Sequence, residues 1–245
     1  MYNFPLFSLL PSPRWVRAFV SGQVIANSRS MVLFFQRPYP NYLFPKKDVD
    51  MRVLRKSTHT EYLDGRGTTE FWNLETAAAT IDNAAFSYPD CGAGDYIGFK
   101  WDAIDRWLEE EEEIFVHARN PYHRVDAVPS SREIAVALDG IELAHSCAPV
   151  LLFESGLPTR HYLPQADVNM TMLEKTATIT QCPYKGIAHT YGVRVNGVFY
   201  PDYAWAYAHP IAECAAVKDM ICFYDEVVDT CEDGVAQPRP VTHFK

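Results

Sequence analysis

The chain has 245 residues and a formal net charge of −9, with 48% hydrophobic and 22% charged residues. This composition is typical of a globular protein of one or two domains. The acidic balance argues against a nucleic-acid partner and gives no support for docking on anionic lipid, and no apolar run is long enough to span a bilayer.

Strand patterns dominate the chain. Apolar and polar residues alternate through segments 14–26, 133–143 and 190–200, and each segment is interrupted by Ser-Gly, Asp-Gly or Asn-Gly. Alternation around such a two-residue turn is typical of a β-hairpin. The continuous apolar runs at 31–35 and 149–153 predict two matching buried strands.

Helical spacing is sparse. Apolar residues recur at helical intervals between Tyr96 and Glu112, which predicts one helix there, and segment 217–228 predicts a weaker counterpart. The acidic run at 109–113 is typical of a solvated surface. Residues 235–245 are predicted to form a loose tail.

The chain carries an internal duplication. Segment 22–54 matches 140–173 at an offset of 118 and then 119 residues, and segment 83–88 matches 202–207. A unit of about 100 residues has the length of a domain, so we expect two tandem domains with a cleft between them. The predicted boundaries are 12–113 for the first repeat, 114–130 for the linker, 131–234 for the second repeat and 235–245 for the tail.

Several segments together resemble the domain of unknown function DUF427. The resemblance covers nearly the whole chain, from Pro13 to Gly234, and it includes a linker similar to that of tandem family members. The family implies an all-β fold with a few short helices, similar to the β-tent of Mss4-like proteins. The zinc site of many β-tent proteins is not carried over, because no Cys-x-x-Cys pair is present. The matching segments are 156–168, 182–186, 204–207, 223–229 and the linker 117–126.

The departures from the family pattern lie mainly in the second repeat. His161 stands where the family usually has Tyr, and Gln181 stands where it has His before the Cys-Pro-Tyr-Lys-Gly motif. The first repeat lacks that motif altogether. The second repeat is therefore the expected home of a functional site.

The predicted catalytic residues are His161, Lys185 and Tyr184. An imidazole is well suited to proton transfer near neutral pH, and a Lys or Tyr can stabilise a developing oxyanion. Alternative interpretations are that His161 is a packing substitute for Tyr and that Lys185 points to solvent from a turn. The predicted substrate-binding residues are Arg160, Tyr162, Trp205, Tyr207, His209 and His59.

Metal and thiol chemistry are weaker alternatives. His161, His189 and His209 could form a three-histidine metal site, but their spacing gives no support for one, and no metal ligand is predicted. Cys182 could act as a nucleophile beside Lys185, although burial as a small apolar residue is commoner. The scattered cysteines favour reduced thiols and a cytoplasmic location.

The function predicted from the sequence is a cofactor-independent isomerase or cyclase of secondary metabolism. It would act on a phenolic, polyketide-like molecule, with histidine removing a phenol proton before ring closure onto an enone, as in chalcone-to-flavanone closure. The high aromatic content and the absence of nucleotide or flavin motifs favour this hypothesis. The alternatives are a non-catalytic module that binds a small molecule or a protein, and a metal-dependent enzyme. The oligomeric state stays open.

Overall fold

The computed structural model describes residues 5–36 and 39–243. The chain divides into two compact units, the first ending at Asn120 and the second beginning at Pro121. Within the described residues, the regular structure consists of β-strands and short 3₁₀ turns. The all-β prediction is therefore confirmed, and each unit contains the pair of antiparallel sheets that the family resemblance implies.

The first unit contains a seven-stranded sheet in the order β1-β4-β5-β9-β8-β7-β6 and a four-stranded sheet in the order β11-β10-β2-β3. Its strands are β1 (Leu9–Pro11), β2 (Val16–Val20), β3 (Gln23–Ser28), β4 (Val32–Phe34), β5 (Asn41–Pro45), β6 (Leu54–Leu63), β7 (Gly67–Glu75), β8 (Thr80–Tyr88), β9 (Ala93–Phe99), β10 (Arg106–Glu109) and β11 (Glu112–Ile114). Its 3₁₀ turns are Lys46–Asp48, Met51–Val53, Pro89–Cys91 and Trp101–Ala103.

The second unit repeats this plan. Its seven-stranded sheet has the order β12-β15-β16-β20-β19-β18-β17, and its four-stranded sheet has the order β14-β13-β21-β22. The strands are β12 (Val125–Pro129), β13 (Ile134–Leu138), β14 (Ile141–Ser146), β15 (Val150–Glu154), β16 (Arg160–Leu163), β17 (Leu173–Cys182), β18 (Gly186–Val195), β19 (Val198–Pro210), β20 (Ile221–Phe223), β21 (Asp229–Glu232) and β22 (Val235–Ala236). Its 3₁₀ turns are Gln165–Asp167, Met170–Met172 and Ala212–Val217.

The three predicted hairpins are present as β2–β3, β13–β14 and β18–β19. Asp139 and Gly140 have φ values of 50° and 75°, and Asn196 and Gly197 have 50° and 79°. Two consecutive left-handed residues are what a two-residue hairpin turn of the primed type requires. The predicted buried strands are also present, as β4 and β15.

Both predicted helices are wrong. Segment 96–112 forms the end of β9, a 3₁₀ turn and β10, and segment 217–228 contains β20 between turns. The apolar spacing arises because the chain passes from the large sheet to the small one and buries residues on both. Gly98 fixes β9 in a close approach, since a Cβ there would lie 2.4 Å from the Phe86 ring and 2.7 Å from Leu43.

The seven-stranded sheet of the second unit is covered on both faces. One face packs against the four-stranded sheet through Leu163, Ile221 and Ile134. The other face carries a second cluster that includes Val150, Leu152 and Tyr162. Neighbouring residues of β16 therefore point to different clusters, as strand alternation requires.

The last described segment is held in place rather than loose. β22 pairs with β21, and the Gln237 amide donates to the Thr230 carbonyl at 2.8 Å. Arg239 and Thr242 bond to acidic side chains further along. No helix in the described part of the chain is long and apolar enough to cross a membrane.

All six cysteines are free. Cys147 is exposed, whereas Cys214 and Cys222 are buried. Burial raises the pKa of Cys182, and burial raises that of Cys214 to about 11. A nucleophilic role for Cys182 therefore finds no support, because the thiol form is favoured.

Candidate functional site

His161 lies in the middle of β16 and is 8% exposed. Its Nδ1 atom is 3.6 Å from Asp225 Oδ1, and its Nε2 atom is 3.6 Å from Glu232 Oε2. Nδ1 is buried and makes no hydrogen bond with any described residue. A buried ring nitrogen without a hydrogen bond departs from the rule that buried polar groups are bonded, and such departures are typical of functional sites.

A cavity of about 210 Å³ lies against this imidazole. Its polar part is formed by His161, Asp225, Thr230 and Glu232, which come from β16, β21 and the turn after β20. Thr230 donates to Asp225 Oδ1 at 2.7 Å, which fixes that carboxylate beside the ring. The remaining lining residues are Pro158, Thr159, Gln237, Pro238 and Pro240.

Arg160 forms a buried ion pair with Glu226. Its guanidinium donates two hydrogen bonds to Glu226, at 2.8 and 2.6 Å, and lies 3.5 Å from Asp225 Oδ2. Burial alone would lower the pKa of Arg160, but the bonds to Glu226 outweigh burial and raise it. Arg160 therefore supports the site through Asp225 and does not line the cavity, so its predicted substrate contact stays untested.

Lys185 and Tyr184 belong to a different cluster. The Lys185 amino group donates to Glu154 Oε2, and His123 Nε2 lies 2.9 Å from Glu154 Oε1. Tyr184 stacks on His123 with ring centroids 4.2 Å apart. Burial raises the pKa of Glu154, but the bonds from His123 and Lys185 outweigh that effect and hold it below the ordinary value.

The structure does not bring His161 and Lys185 together. Glu154, the partner of Lys185, continues the alternation of Val150 and Leu152 on the outer face of the large sheet. His161 faces the small sheet, where Glu232 lies. A mechanism in which His161 removes a proton while Lys185 stabilises the same substrate is therefore not supported by this placement.

Of the other predicted binding residues, three lie together and two lie apart. Tyr162, Trp205 and Tyr207 are buried in the outer-face cluster, where the indole of Trp205 donates to the Tyr162 hydroxyl at 3.0 Å. His209 is exposed on β19. His59 is exposed in the first unit, 3.3 Å from Glu61 and against the ring of Phe71.

The histidines considered for a metal site are not grouped. Among the described residues, no three His, Cys, Asp or Glu side chains are placed so as to hold a metal ion. His161, His189 and His209 are included in that statement. The metal-dependent alternative therefore lacks a ligand set in this part of the chain.

The first unit has the same positions with different residues. Tyr42 faces Leu33 in the sheet as His161 faces Leu151, and Glu109 faces Val16 as Glu232 faces Ile134. Phe99 pairs with Ala85 in the first unit as Phe223 pairs with Ala204 in the second. Trp101 and Asp225 each lie two residues after that phenylalanine, so they correspond. Trp107 faces Ala18 as Thr230 faces Val136.

In the first unit these residues are packed together. The Tyr42 ring lies 6.3 Å from Trp101 and 5.7 Å from Trp107, and its hydroxyl donates to Glu109 Oε2 at 2.6 Å. Arg14 also contacts Glu109, as Arg132 contacts Glu232 at 2.6 Å in the second unit. The second unit has His, Asp and Thr at the positions of the Tyr and the two Trp, and its cavity lies beside these smaller side chains.

Asp225, Thr230 and Glu232 were not predicted from the sequence. The two repeats align at an offset of 119 residues at Tyr42 and His161 but 124 at Trp101 and Asp225. The change arises around the 3₁₀ segment Ala212–Val217 of the second repeat, before β20. A self-alignment that allows this insertion is the signal that could have paired Trp101 with Asp225.

The chain belongs to the DUF427 family. The family model, described as a domain of unknown function, matches residues 8–110 and again 126–234. A search of curated proteins found no match. The two matches confirm the tandem arrangement, and neither assigns an activity.

Proposed function

We propose that the chain is a cofactor-independent isomerase or cyclase that acts on a small phenolic molecule, with His161 as the general base. The observation that carries the proposal is the imidazole of His161 at the wall of a cavity, with the Asp225 carboxylate 3.6 Å from Nδ1 and the Glu232 carboxylate 3.6 Å from Nε2. An imidazole placed beside a ligand cavity is suited to general-base catalysis.

The proposed reaction is an isomerisation in which one proton is transferred and returned. It involves no oxidation or reduction of the substrate. The phenol hydroxyl gives its proton to the His161 imidazole, and the phenolate oxygen forms a bond to the β-carbon of a conjugated enone. The electrons of the C=C bond shift to give an enolate, and the imidazolium returns the proton to the α-carbon. Substrate and product are isomers, so the step needs no cofactor.

The cavity limits what can enter. An apolar cavity of about 150 Å³ holds benzene, whereas pockets for drug-sized ligands span about 300–1,000 Å³. A cavity of about 210 Å³ therefore holds one ring of a two-ring substrate, and the remainder would extend through its open side. The three prolines give that ring apolar walls, and the polar residues lie where a hydroxyl would be placed.

Binding without turnover is the second candidate. It is favoured by the position of Lys185, because no lysine or arginine among the described residues lines the cavity to stabilise an enolate. In that case, the second unit would hold a phenol or a similar small donor through His161 and the carboxylates. The predicted cytoplasmic location stays part of the proposal and is supported by the free cysteines. The role in secondary metabolism depends on the proposed phenolic substrate.

The assay is the loss of enone absorbance of 2′-hydroxychalcone in the presence of purified protein. We expect acceleration over buffer, and a fall of about 10²–10⁴-fold in His161→Gln, because that variant cannot take the proton. His145→Gln is the matched control, since His145 is an exposed histidine of the same unit that pairs with Glu133 at 2.7 Å.

Two further outcomes separate the candidates. Lys185→Gln should keep the wild-type rate if the His161 cavity is the active site. Saturable binding of a phenol with no acceleration of ring closure would favour the binding module. Full activity in folded His161→Gln protein would overturn the proposal.

A further inference from the structure

Arg66 lies in the turn of the β6–β7 hairpin and is half-buried. Gly65 and Gly67 on either side of it adopt φ values of 77° and 81°, and the Cys91 thiol donates to the Arg66 carbonyl at 2.6 Å. These contacts fix the backbone from which the side chain projects. The guanidinium lies 4.9 Å from the ring centroid of the buried Tyr88. The turn therefore holds a cation against an aromatic ring in the first unit.

No carboxylate of the described residues forms an ion pair with this cation. The Nη1 atom of Arg66 lies 3.5 Å from the neutral side chain of Gln36, and Nε is buried and makes no hydrogen bond within the described part of the chain. The other buried or half-buried arginines each pair with a glutamate, and they are Arg17, Arg119 and Arg160. Withdrawing a charge from water is unfavourable unless an opposite charge compensates it. Arg66 therefore keeps a positive charge without an internal counter-charge.

The second unit has the counter-charge that the first unit lacks. Lys185 occupies the position of Arg66, one residue before the glycine that begins the second strand of each hairpin. Glu154 occupies the position of Gln36, four residues after the start of β15 and of β4 respectively. The Lys185 amino group donates to Glu154 Oε2, so the cation of the second unit is neutralised. Gln has the shape of Glu without its charge, and the first unit is therefore left with a cation that a ligand can neutralise.

The surroundings of Arg66 favour a carboxylate that carries an apolar chain. One guanidinium matches the two oxygens of a carboxylate, whereas a phosphate group carries about −1.5 to −2 charges at neutral pH and needs more than one cation. Tyr62 and Leu63 lie just before the turn and are 75% and 46% exposed. A Cβ at Gly65 would lie 3.2 Å from the Phe7 ring, so an aromatic side chain also borders the turn. An apolar chain that covers these side chains removes their surface from water.

We propose that Arg66 binds the carboxylate of a small molecule with an aliphatic chain. The guanidinium pairs with the carboxylate as Lys185 pairs with Glu154, and the chain of the ligand packs on the exposed apolar side chains of the hairpin. The site lies in the first unit and does not involve the His161 cavity. It therefore adds a binding function to the unit for which the proposed isomerase activity has no role.

Isothermal titration calorimetry of the full chain with sodium hexanoate at constant ionic strength tests this proposal. We expect saturable binding at one site with a dissociation constant of about 1 mM or below. Arg66→Gln should weaken binding by at least about 10-fold, because it removes a charge-assisted pair. Arg66→Lys keeps the charge but not the two-pronged geometry, so its affinity should lie between those of wild type and Arg66→Gln.

Two further variants supply a control and an independent test. Arg55→Gln removes the same charge from an exposed arginine of β6, and its affinity should stay within about twofold of wild type. Gln36→Glu leaves the cation in place and gives it the carboxylate that the second unit has. That carboxylate should compete with hexanoate and weaken its binding by at least about 10-fold, while the melting temperature stays at or above the wild-type value.

Absence of saturable hexanoate binding to wild-type protein would overturn the proposal, and so would unchanged binding in folded Arg66→Gln or in Gln36→Glu. Hexan-1-ol has the same chain without the charge, and binding of the alcohol as tight as that of hexanoate would also contradict it. Inorganic phosphate bound more tightly than hexanoate through Arg66 would overturn the assignment to a carboxylate. None of these measurements depends on ring closure, so failure of the proposed isomerase activity leaves their outcome unaffected.

Discussion

The two units place different chemistry on one backbone plan. In the first, Tyr42, Trp101 and Trp107 pack together, and Glu109 accepts a hydrogen bond from the Tyr42 hydroxyl. In the second, the corresponding His161, Asp225 and Thr230 border a cavity beside Glu232. The difference teaches that a site can be opened by exchanging rings for small polar groups while the strands that carry them keep their register.

This comparison suggests a division between stability and chemistry. Buried aromatic rings contribute a large share of a small domain's packing energy. The second unit has His161, Asp225 and Thr230 in place of these three rings, and Nδ1 of His161 makes no hydrogen bond with a described residue. Such a loss is typical of functional sites, where the local optimum for stability is sacrificed.

The largest effect is expected from Trp107→Thr, which gives the first unit the residue that the second has at Thr230. Trp107 is 3% exposed and stacks on Trp101 with ring centroids 4.8 Å apart. Losing the ring should lower the free energy of unfolding by about 3–5 kcal/mol, because a cavity remains. Urea denaturation measures it, and a loss below about 1 kcal/mol would contradict the idea that the rings support this unit.

The next effect is expected from His161→Tyr, which gives the second unit the residue of the first. Tyr42 occupies the corresponding position of the first unit, so the variant should fold with a melting temperature near that of wild type. A neutral phenol is a poor base at pH 7, so ring closure should slow by at least 100-fold, about 2.7 kcal/mol. Retained activity would assign the chemistry elsewhere.

Alkaline pH tests the position that Tyr42 shares with His161. Burial raises the pKa of Tyr42 to about 12, so the folded state holds this proton more tightly than the unfolded state does. The corresponding stability is fully present below pH 10 and is lost as the pH rises toward about 12. The loss between pH 8 and pH 11 should be about 1.4 kcal/mol, and Tyr42→Phe should abolish it.

The Tyr42→Phe comparison uses unfolding at pH 8 and pH 11. His161 occupies the same position in the second unit and contributes no phenol there. A slope identical in wild type and Tyr42→Phe would mean that other buried tyrosines account for all of it.

The smallest effect concerns Glu154, on the other face of the sheet. Its pKa is held below the ordinary 4.5, so its stabilising contribution is present above that pH and is lost as the pH falls through the lowered value. Glu154→Gln should flatten the acid side of the stability curve, because it removes the carboxyl whose pKa is lowered in the folded state. Its catalytic rate should match wild type, and a large rate loss would return Lys185 and Glu154 to the candidate site.

The sequence predicted the strands well and the site only in part. Asp139-Gly140 and Asn196-Gly197 determine their turns locally, since both residues must adopt positive φ, and the hairpins follow. The helix predicted over 96–112 failed because burial against two sheets produced an apolar spacing that local pattern cannot distinguish from a helix.

His161 was predicted because it departs from a motif, whereas the residues around it were not predicted. Asp225 and Glu232 reach it from a turn and from the small sheet, and only the tertiary arrangement brings these residues within 3.6 Å of the ring. Lys185 was grouped with His161 because both lie in family motifs of one repeat. Strand alternation places Glu154 on the outer face of the large sheet, and the Lys185 amino group that pairs with it lies on that face.

The state of the cysteines has a practical consequence for labelling. Cys147 is the exposed thiol, and burial keeps the pKa of Cys91, Cys182 and Cys214 above the ordinary range. Thiolate is the reactive form, so a maleimide dye at neutral pH should attach first at Cys147. The wild-type chain therefore offers a fluorescent reporter in the second unit without prior removal of its other thiols.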